Sequence, residues 1–324
     1  MNYILGVDGG TSKTKALICQ PDGKIVGHAR TMGSNIYEGD PEIGLAHAMQ
    51  APEDALNQAG LPAESLETSV FSMSGADWPE DFMLFRASAR AKGLGRKVTV
   101  VNDSIGGMYA GMPSSRCVAI ICGTHAACAA RGEDGTIWHN SFWQMIGGAH
   151  NLGSATLRAV YKAELGVVES TSLTRAVLDY FDEASVESLL HRQTALFKEE
   201  FPDVALLTSL LLDHAAGGDP VARNIVEDHG HELAKYATAA ARKVGIDQQH
   251  FELVLGGSVF RHASNVLSDA IGSAMRQTAP DFSLSFARHE PVVGALLLAL
   301  ENHGTVVDDT VVSNLIDSLP GGWY

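Results

Sequence analysis

Short apolar segments alternate with polar turns and with longer amphipathic segments along the first hundred residues. The apolar segments have the length of β-strands and lie at 3–8, 14–19, 24–29, 68–73 and 97–101. Two longer segments, 41–59 and 79–92, have the length of helices, and each is followed by a glycine that can end a helix, Gly60 or Gly93. Three strands in a meander, followed by strand–helix units, predict an α/β fold.

The second part of the chain repeats this pattern. A Gly-Thr pair at 10–11 recurs at 123–124, and an Asp-Gly pair at 22–23 recurs at 134–135. Strands are predicted at 118–124, 126–131, 137–140, 251–255 and 282–286, and helices at 154–165, 222–244, 263–277 and 291–302. Two copies of one three-stranded unit predict a duplicated fold with two similar lobes. The alternative is a coincidence of common dipeptides.

Bulk properties narrow the class of protein. A length of 324 residues exceeds the usual size of one domain and agrees with two lobes. The formal net charge of −15 argues against a nucleic-acid partner and against an anionic membrane surface. No apolar run approaches the ~20 residues of a membrane span, and the N-terminus lacks a signal-peptide pattern. The four cysteines form no C-x-x-C pair, so we expect a reducing, cytoplasmic environment.

The turn after the first predicted strand concentrates groups that suit phosphate. We call residues 9–13 the first loop; its members are Gly9, Gly10, Thr11, Ser12 and Lys13. The glycines leave no side chain in the way of a ligand, and the hydroxyls and the ammonium can bind phosphate oxygens. Asp8 is placed to hold a metal that bridges those oxygens. The alternative is a β-hairpin whose glycines serve only the turn.

Five segments, in chain order, resemble the actin / sugar-kinase / Hsp70 ATPase superfamily. The chain is most similar to its N-acetylglucosamine kinase and BadF/BadG-type ATPase group. The segments are 6–14 (first phosphate loop), 72–77 (a strand end near the sugar), 101–107 (the catalytic aspartate), 121–124 (second phosphate loop) and 255–259 (adenosine). The resemblance implies two duplicated ribonuclease H-like lobes with a cleft between them. We expect the lobes to span 1–115 and 116–290, with 291–324 returning to the first.

The resemblance also implies where ATP and Mg²⁺ bind. The phosphates would lie between the first loop and the second loop, our name for residues 123–127. Outside the first loop, the nucleotide-binding residues would be Gly123, Thr124, Gly256, Gly257 and Ser258. The last three would approach the adenosine, and Asp8 would help to hold Mg²⁺ through water.

Asp103 is the residue to which the resemblance assigns general-base catalysis. It follows a β-branched strand and would accept the proton of a sugar hydroxyl that attacks the γ-phosphorus. The alternative is that Asp103 is only the N-cap of a helix that begins at Ser104.

The predicted acceptor side departs from the family pattern. The candidates for sugar contact, besides Asp103, are Asn35, Ser74, Gly75 and Asn151, although residues 33–35 can also be a simple turn before a helix. His125 and Ala127 replace a glycine and an asparagine of the second loop. Asn151 and Leu152 replace two acidic positions, of which only the asparagine can still bind a hydroxyl. These replacements leave room for another acceptor or for reduced activity.

Three functions are consistent with these features. The first is an ATP-dependent kinase of a sugar or amino sugar. The second is an ATPase activator that holds an iron–sulfur cluster between subunits through cysteines. The third is a sensor that binds nucleotide or sugar without turnover. The expected partner is a small-molecule sugar, and family habit favours a homodimer.

Overall fold

The computed structural model describes residues 2–111, 115–143, 147–196 and 201–323. The first part contains β1 (Tyr3–Gly9), β2 (Lys13–Cys19), β3 (Ile25–Met32), α1 (Pro41–Ala59), β4 (Leu66–Met73), α2 (Pro79–Ala91), β5 (Lys97–Asn102) and α3 (Asp103–Tyr109). The second part contains β6 (Cys117–Cys122), β7 (Ala126–Arg131), β8 (Ile137–His139), α4 (Ala149–Glu164), α5 (Leu173–Phe181), α6 (Val186–Thr194), α7 (Leu207–Ala216), α8 (Pro220–Lys243), β9 (Phe251–Gly256), α9 (Val266–Met275), β10 (Phe282–Phe286), α10 (Pro291–His303) and α11 (Asp309–Asp317).

The strands form two five-stranded sheets with the same topology. The first has the order β3-β2-β1-β4-β5, and the second has the order β8-β7-β6-β9-β10. In each sheet three antiparallel strands are followed by two parallel ones. The predicted two-lobed, duplicated α/β fold is therefore confirmed.

Most predicted strands agree with the structure within a few residues, but one helix begins earlier than expected. The helix predicted from residue 154 begins at Ala149 and includes Gly153. A Cβ atom at Gly153 would lie 1.8 Å from the carbonyl oxygen of Val204. This glycine therefore lets a neighbouring turn approach a continuous helix, and does not end one.

Besides α11, three helices of the second part, α5, α6 and α7, were not predicted. Each has nine or ten residues. In so short a segment the helical period of apolar residues is hard to separate from a loop. Their apolar side chains complete the core of the second lobe.

Helix α10 packs against the first sheet and α3. The residues from Val292 to Leu300 are all buried. A Cβ atom at Gly6 would lie 2.5 Å from the amide nitrogen of Leu296, and one at Gly294 would lie 1.9 Å from the carbonyl oxygen of Gly106. The core around α10 includes side chains of both sheets. The exact lobe limits at residues 115 and 290 stay predictions.

Among the described helices, none combines the length and the apolar character that crossing a bilayer requires.

We predict that Gly294→Ala lowers the free energy of unfolding, because its new methyl group collides with the backbone of α3. Overpacking of this kind costs about 1–3 kcal/mol. The measurement is urea-induced unfolding, with Gly321→Ala as the matched control, because a Cβ atom there meets nothing within 4 Å. Equal stability of the two variants would contradict the close packing of α10.

Candidate active site

A cleft of about 600 Å³ lies where the two sheets face each other. It brings together residues that are far apart in the sequence. The predicted site residues that line it are Thr11, Ser12, Asn35, Ser74, Gly75, Asp103, Gly123, Thr124 and Asn151. The other predicted residues, which lie outside this lining, are Asp8, Gly9, Gly10, Lys13, Gly256, Gly257 and Ser258.

Backbone hydrogen bonds hold the first loop as a tight turn. The amide of Gly10 donates to the carbonyl of Lys13 at 2.9 Å, and the amide of Ser74 donates to the carbonyl of Gly9 at 2.6 Å. A Cβ atom at Gly9 would collide with the side chain of Met73, so this glycine serves packing. A Cβ atom at Gly10 would meet only the Lys13 carbonyl, at 3.3 Å. Gly10 is therefore the less crowded of the two glycines, and its close neighbour belongs to the same turn.

Donors of the first loop remain available on the cleft side. Thr11 and Ser12 are exposed, and within the described residues their amides donate to no recorded acceptor. These amides and the Ser12 hydroxyl can therefore bind an anion, whereas the Thr11 hydroxyl donates to Glu38 Oε1 at 3.4 Å.

The second loop rests on the start of α4. The amide of Ala149 donates to the carbonyl of Gly123 at 2.8 Å, and the amide of His150 donates to the carbonyl of Thr124 at 3.3 Å. These contacts fix the loop and occupy the first amides of the helix. A Cβ atom at Gly123 would have its nearest neighbour 4.0 Å away, so this position keeps the cleft open.

The third glycine segment lies next to the second loop. Gly257 has a φ of +99°, which favours glycine, and a Cβ atom there would lie 2.3 Å from the carbonyl oxygen of Cys122. The turn after β9 thus packs on the end of β6. The contact of Gly256, Gly257 and Ser258 with adenosine stays a prediction.

Asp103 is the first residue of α3, and Asn102 is its N-cap. The Asn102 Oδ1 atom accepts from the Ser104 amide at 3.0 Å and from the Ser104 hydroxyl at 2.6 Å. The alternative that Asp103 is the cap is therefore wrong, and its carboxylate is free to line the cleft. Burial, and to a lesser degree the charge of Asp77, raises the pKa of Asp103 to about 6, against hydrogen bonds from backbone amides. A carboxylate with a pKa near neutrality suits proton transfer.

Asp8 lies behind the first loop and is 8% exposed. Burial raises its pKa to about 7, with smaller contributions from Asp103 and Glu290 that Lys13 and Lys15 oppose. A nearby cation would therefore stabilise the ionised form of this buried carboxylate.

Lys13 and Lys15 share one carboxylate, Glu290, which the sequence did not indicate. The Lys13 Nζ atom lies 3.8 Å from Glu290 Oε1, and the Lys15 ammonium is paired with Oε2. Lys15 is buried and lies over the ring of Trp323, 4.3 Å from its centroid. These contacts hold the first loop to the start of α10. No local pattern could find a pair separated by 275 residues.

The acceptor end of the cleft is built from amides and carboxylates. The Asn35 Oδ1 atom accepts from the Tyr37 amide at 3.0 Å, so Asn35 both forms a turn and lines the cleft. Gly75 has a φ of +79°, and a Cβ atom there would lie 2.7 Å from Asn35 Oδ1. Further lining residues that the sequence analysis did not single out include Tyr37, Glu38, Asp77, Asn102 and Ser141.

The departures from the family pattern fall into two groups. His125, Ala127 and Asn151 line the cleft. Leu152 is 1% exposed and belongs to the core of the second lobe. Leu152 is thus a packing residue and does not face the acceptor.

Comparison with known proteins gives concordant matches. The sequence model of the BadF/BadG/BcrA/BcrD ATPase family matches residues 5–299. The chain is 24% identical to the N-acetylmuramic acid/N-acetylglucosamine kinase of Clostridium acetobutylicum, over 92% of this chain and 98% of that protein. It is also 24% identical to the N-acetyl-D-glucosamine kinase of Dictyostelium discoideum, over the same shares. The solved structure of a candidate N-acetylglucosamine kinase from Chromobacterium violaceum has a TM-score of 0.65 at 25% identity, over 92% and 99% of the two chains. These matches confirm the resemblance seen in the sequence.

We predict that Asp8→Asn stabilises the fold at pH 8 more than at pH 5. The folded pKa of about 7 lies above the ordinary value of 3.8. The folded protein therefore binds a proton that the unfolded chain has lost, and this stabilisation fades as pH rises from about 4 to 7. Above pH 7 the wild type carries the full cost of a buried charge, which asparagine avoids. We expect a melting temperature at least about 3 °C higher at pH 8.

The control for this prediction is Asp134→Asn, which removes an exposed carboxylate whose pKa is lowered by hydrogen bonds from Thr136. It should not gain stability at pH 8. If Asp8→Asn destabilises the protein equally at both pH values, ionisation of the buried Asp8 carboxylate does not lower the stability, and the prediction is wrong.

Proposed function

The chain belongs to the BadF/BadG/BcrA/BcrD ATPase family, and from this membership we propose that it is an ATP-dependent kinase of a sugar or amino sugar. N-acetylglucosamine is the leading acceptor, because both curated relatives compared above are named as its kinases. One observation carries the proposal: Asp103, with a pKa raised to about 6, lines the same cleft as both glycine loops.

The first and second loops are proposed to hold the phosphates of ATP from opposite sides. The available amides of Thr11 and Ser12 and the Ser12 hydroxyl would bind phosphate oxygens, and Thr124 would do so from the second lobe. The open position at Gly123 leaves space for the triphosphate chain. Lys13, which is 38% exposed and anchored by Glu290, supplies positive charge at the loop. Such positioning and charge stabilisation are what phosphoryl transfer asks of a protein.

Asp103 is proposed to act as the general base. A sugar hydroxyl would give its proton to the Asp103 carboxylate as its oxygen forms a bond to the γ-phosphorus. The bond between that phosphorus and the β–γ bridging oxygen breaks, and ADP leaves. Asn35, Ser74, Gly75 and Asn151 line the cleft around Asp103 and would orient the sugar through its hydroxyls and amide.

Asp8 fits a supporting role toward Mg²⁺. Its carboxylate is a hard oxygen ligand, and since burial raises its pKa to about 7, a bound cation would stabilise its charged form. Within the described residues no three His, Cys, Asp or Glu side chains converge, so water and phosphate oxygens would supply the other ligands. When bound, Mg²⁺ neutralises phosphate charge during transfer.

The second candidate function, an ATPase activator with an iron–sulfur cluster, agrees less well with the positions of the cysteines. Cys19, Cys117, Cys122 and Cys128 are all 0% exposed. Cys122 and Cys128 lie in the core of the second lobe, whereas the other two lie in the core around α10. Burial raises the pKa of Cys122 to about 12, which keeps its thiol protonated. A cluster shared between subunits needs thiolates that converge at a surface.

The remaining expectations stay predictions. They are the homodimer, the cytoplasmic location, and the absence of nucleic-acid and membrane partners. The non-catalytic sensor differs from the kinase only in turnover, so an activity assay distinguishes them.

We predict that, with Mg²⁺ present, the protein converts ATP to ADP when an amino sugar is added. Asp103→Asn should lower kcat by about 100-fold to 10,000-fold, the usual contribution of a general base. The assay couples ADP release to a panel of N-acetylglucosamine, glucosamine, glucose and no sugar. ATP binding, measured by titration calorimetry, should survive in the variant because the loops are unchanged.

The matched control is Asp22→Asn, an exposed turn carboxylate outside the cleft. Wild-type turnover in Asp103→Asn would contradict its role as the base. ADP release that no sugar of the panel increases would contradict the kinase itself.

A further inference from the structure

One hydrogen bond joins the two lobes beside Asp103. Ser141 follows β8 in the second lobe, and its hydroxyl donates to the Asn102 Oδ1 atom at 2.8 Å. Asn102 ends β5 in the first lobe and is 1% exposed. Both residues line the cleft. The contact therefore lies at the proposed acceptor site and in a place where water competes little.

The side-chain amide of Asn102 also holds the backbone around Asp103. Its Oδ1 atom accepts from the amide and the hydroxyl of Ser104, at 3.0 and 2.6 Å. Its Nδ2 atom donates to Asp77 Oδ1 at 2.9 Å. Asp103 stands between Asn102 and Ser104 in the chain. A shift of this one amide would therefore move the first turn of α3 and the carboxylate it carries.

Aromatic contacts keep Ser141 against the first lobe. The rings of Trp78 and Phe142 have centroids 5.4 Å apart, and those of Phe82 and His139 are 6.5 Å apart. In each pair one residue belongs to the first lobe and the other adjoins Ser141 in the second. The hydrogen bond is thus part of a defined contact between the lobes and not an isolated surface interaction.

We propose that Ser141 is a positioning residue that orients the Asp103 carboxylate through Asn102 while the lobes are in contact. This inference deepens the proposed function and rests on it. The second lobe then does more than carry a phosphate-binding loop, because it also sets the geometry of the base on the first lobe. Proton removal by Asp103 would then depend on contact between the two lobes, because only this contact fully orients the carboxylate.

We expect Ser141→Ala to lower kcat by about 2- to 10-fold, the factor that one neutral hydrogen bond contributes. The KM for ATP should not change, because the phosphate loops are not touched. Ser141→Thr keeps a hydroxyl and should restore most of kcat. The control Ser283→Ala removes a hydroxyl from an exposed strand position of the second lobe and should leave kcat unchanged.

A double-mutant cycle separates positioning from a general loss of stability. Asn102→Ala removes the amide through which Ser141 would act, so its effect on kcat should be non-additive with that of Ser141→Ala. Additive effects, or a Ser141→Ala variant with wild-type kcat, would overturn the proposal.

Hydrogen–deuterium exchange gives a readout that does not depend on turnover. The amides at the start of α3 should exchange faster in Ser141→Ala than in Ser141→Thr or Ser283→Ala. If the wild type transfers no phosphoryl group to any sugar, the proposed function fails, whereas the exchange measurement still decides whether Ser141 holds α3. Unchanged exchange of these amides in Ser141→Ala would overturn the link.

Discussion

The desolvation of two carboxylates, the buried Asp8 and the half-buried Asp103, is the constraint on which the rest of the site depends. Asp8 stands near the end of β1 and Asp103 follows β5, with β4 between these strands. Burial raises both pKa values, and the charge of Asp103 adds to the effect on Asp8. Keeping such charges out of water costs free energy unless a positive partner offsets it. The proposed binding of Mg²⁺ together with the phosphates of ATP would offset this free energy.

The packing around the cleft keeps these groups in place. Gly6 lets α10 approach β1, and Gly294 lets it approach α3, the helix that begins at Asp103. Glu290 precedes α10 and ties the first loop to it through Lys13 and Lys15. Contacts with one buried helix thus hold both the helix that carries Asp103 and the first loop. Asn102 adds a second link, this time to the opposite lobe.

The sequence predicts the parts of this site that depend on local pattern. The spacing of apolar residues and the turn glycines indicate both hairpins. The recurrence of this pattern indicates the duplicated lobes. The motif order then places Asp103 and the two loops in one cleft. Contacts between distant residues leave no such pattern, so the Lys15–Glu290 pair and the Ser141–Asn102 bond are visible only in the structure. Gly153 shows a further limit, because this glycine lies inside a helix that the sequence pattern placed from residue 154 onward.

The most direct measurement is a crystal structure with a non-hydrolysable ATP analogue, Mg²⁺ and N-acetylglucosamine. The account predicts that the phosphates contact Thr11 and Ser12 on one side and Thr124 on the other. It also predicts a sugar hydroxyl within hydrogen-bond distance of the Asp103 carboxylate and facing the γ-phosphorus. Phosphates bound away from both loops, or a sugar bound out of reach of Asp103, would contradict it.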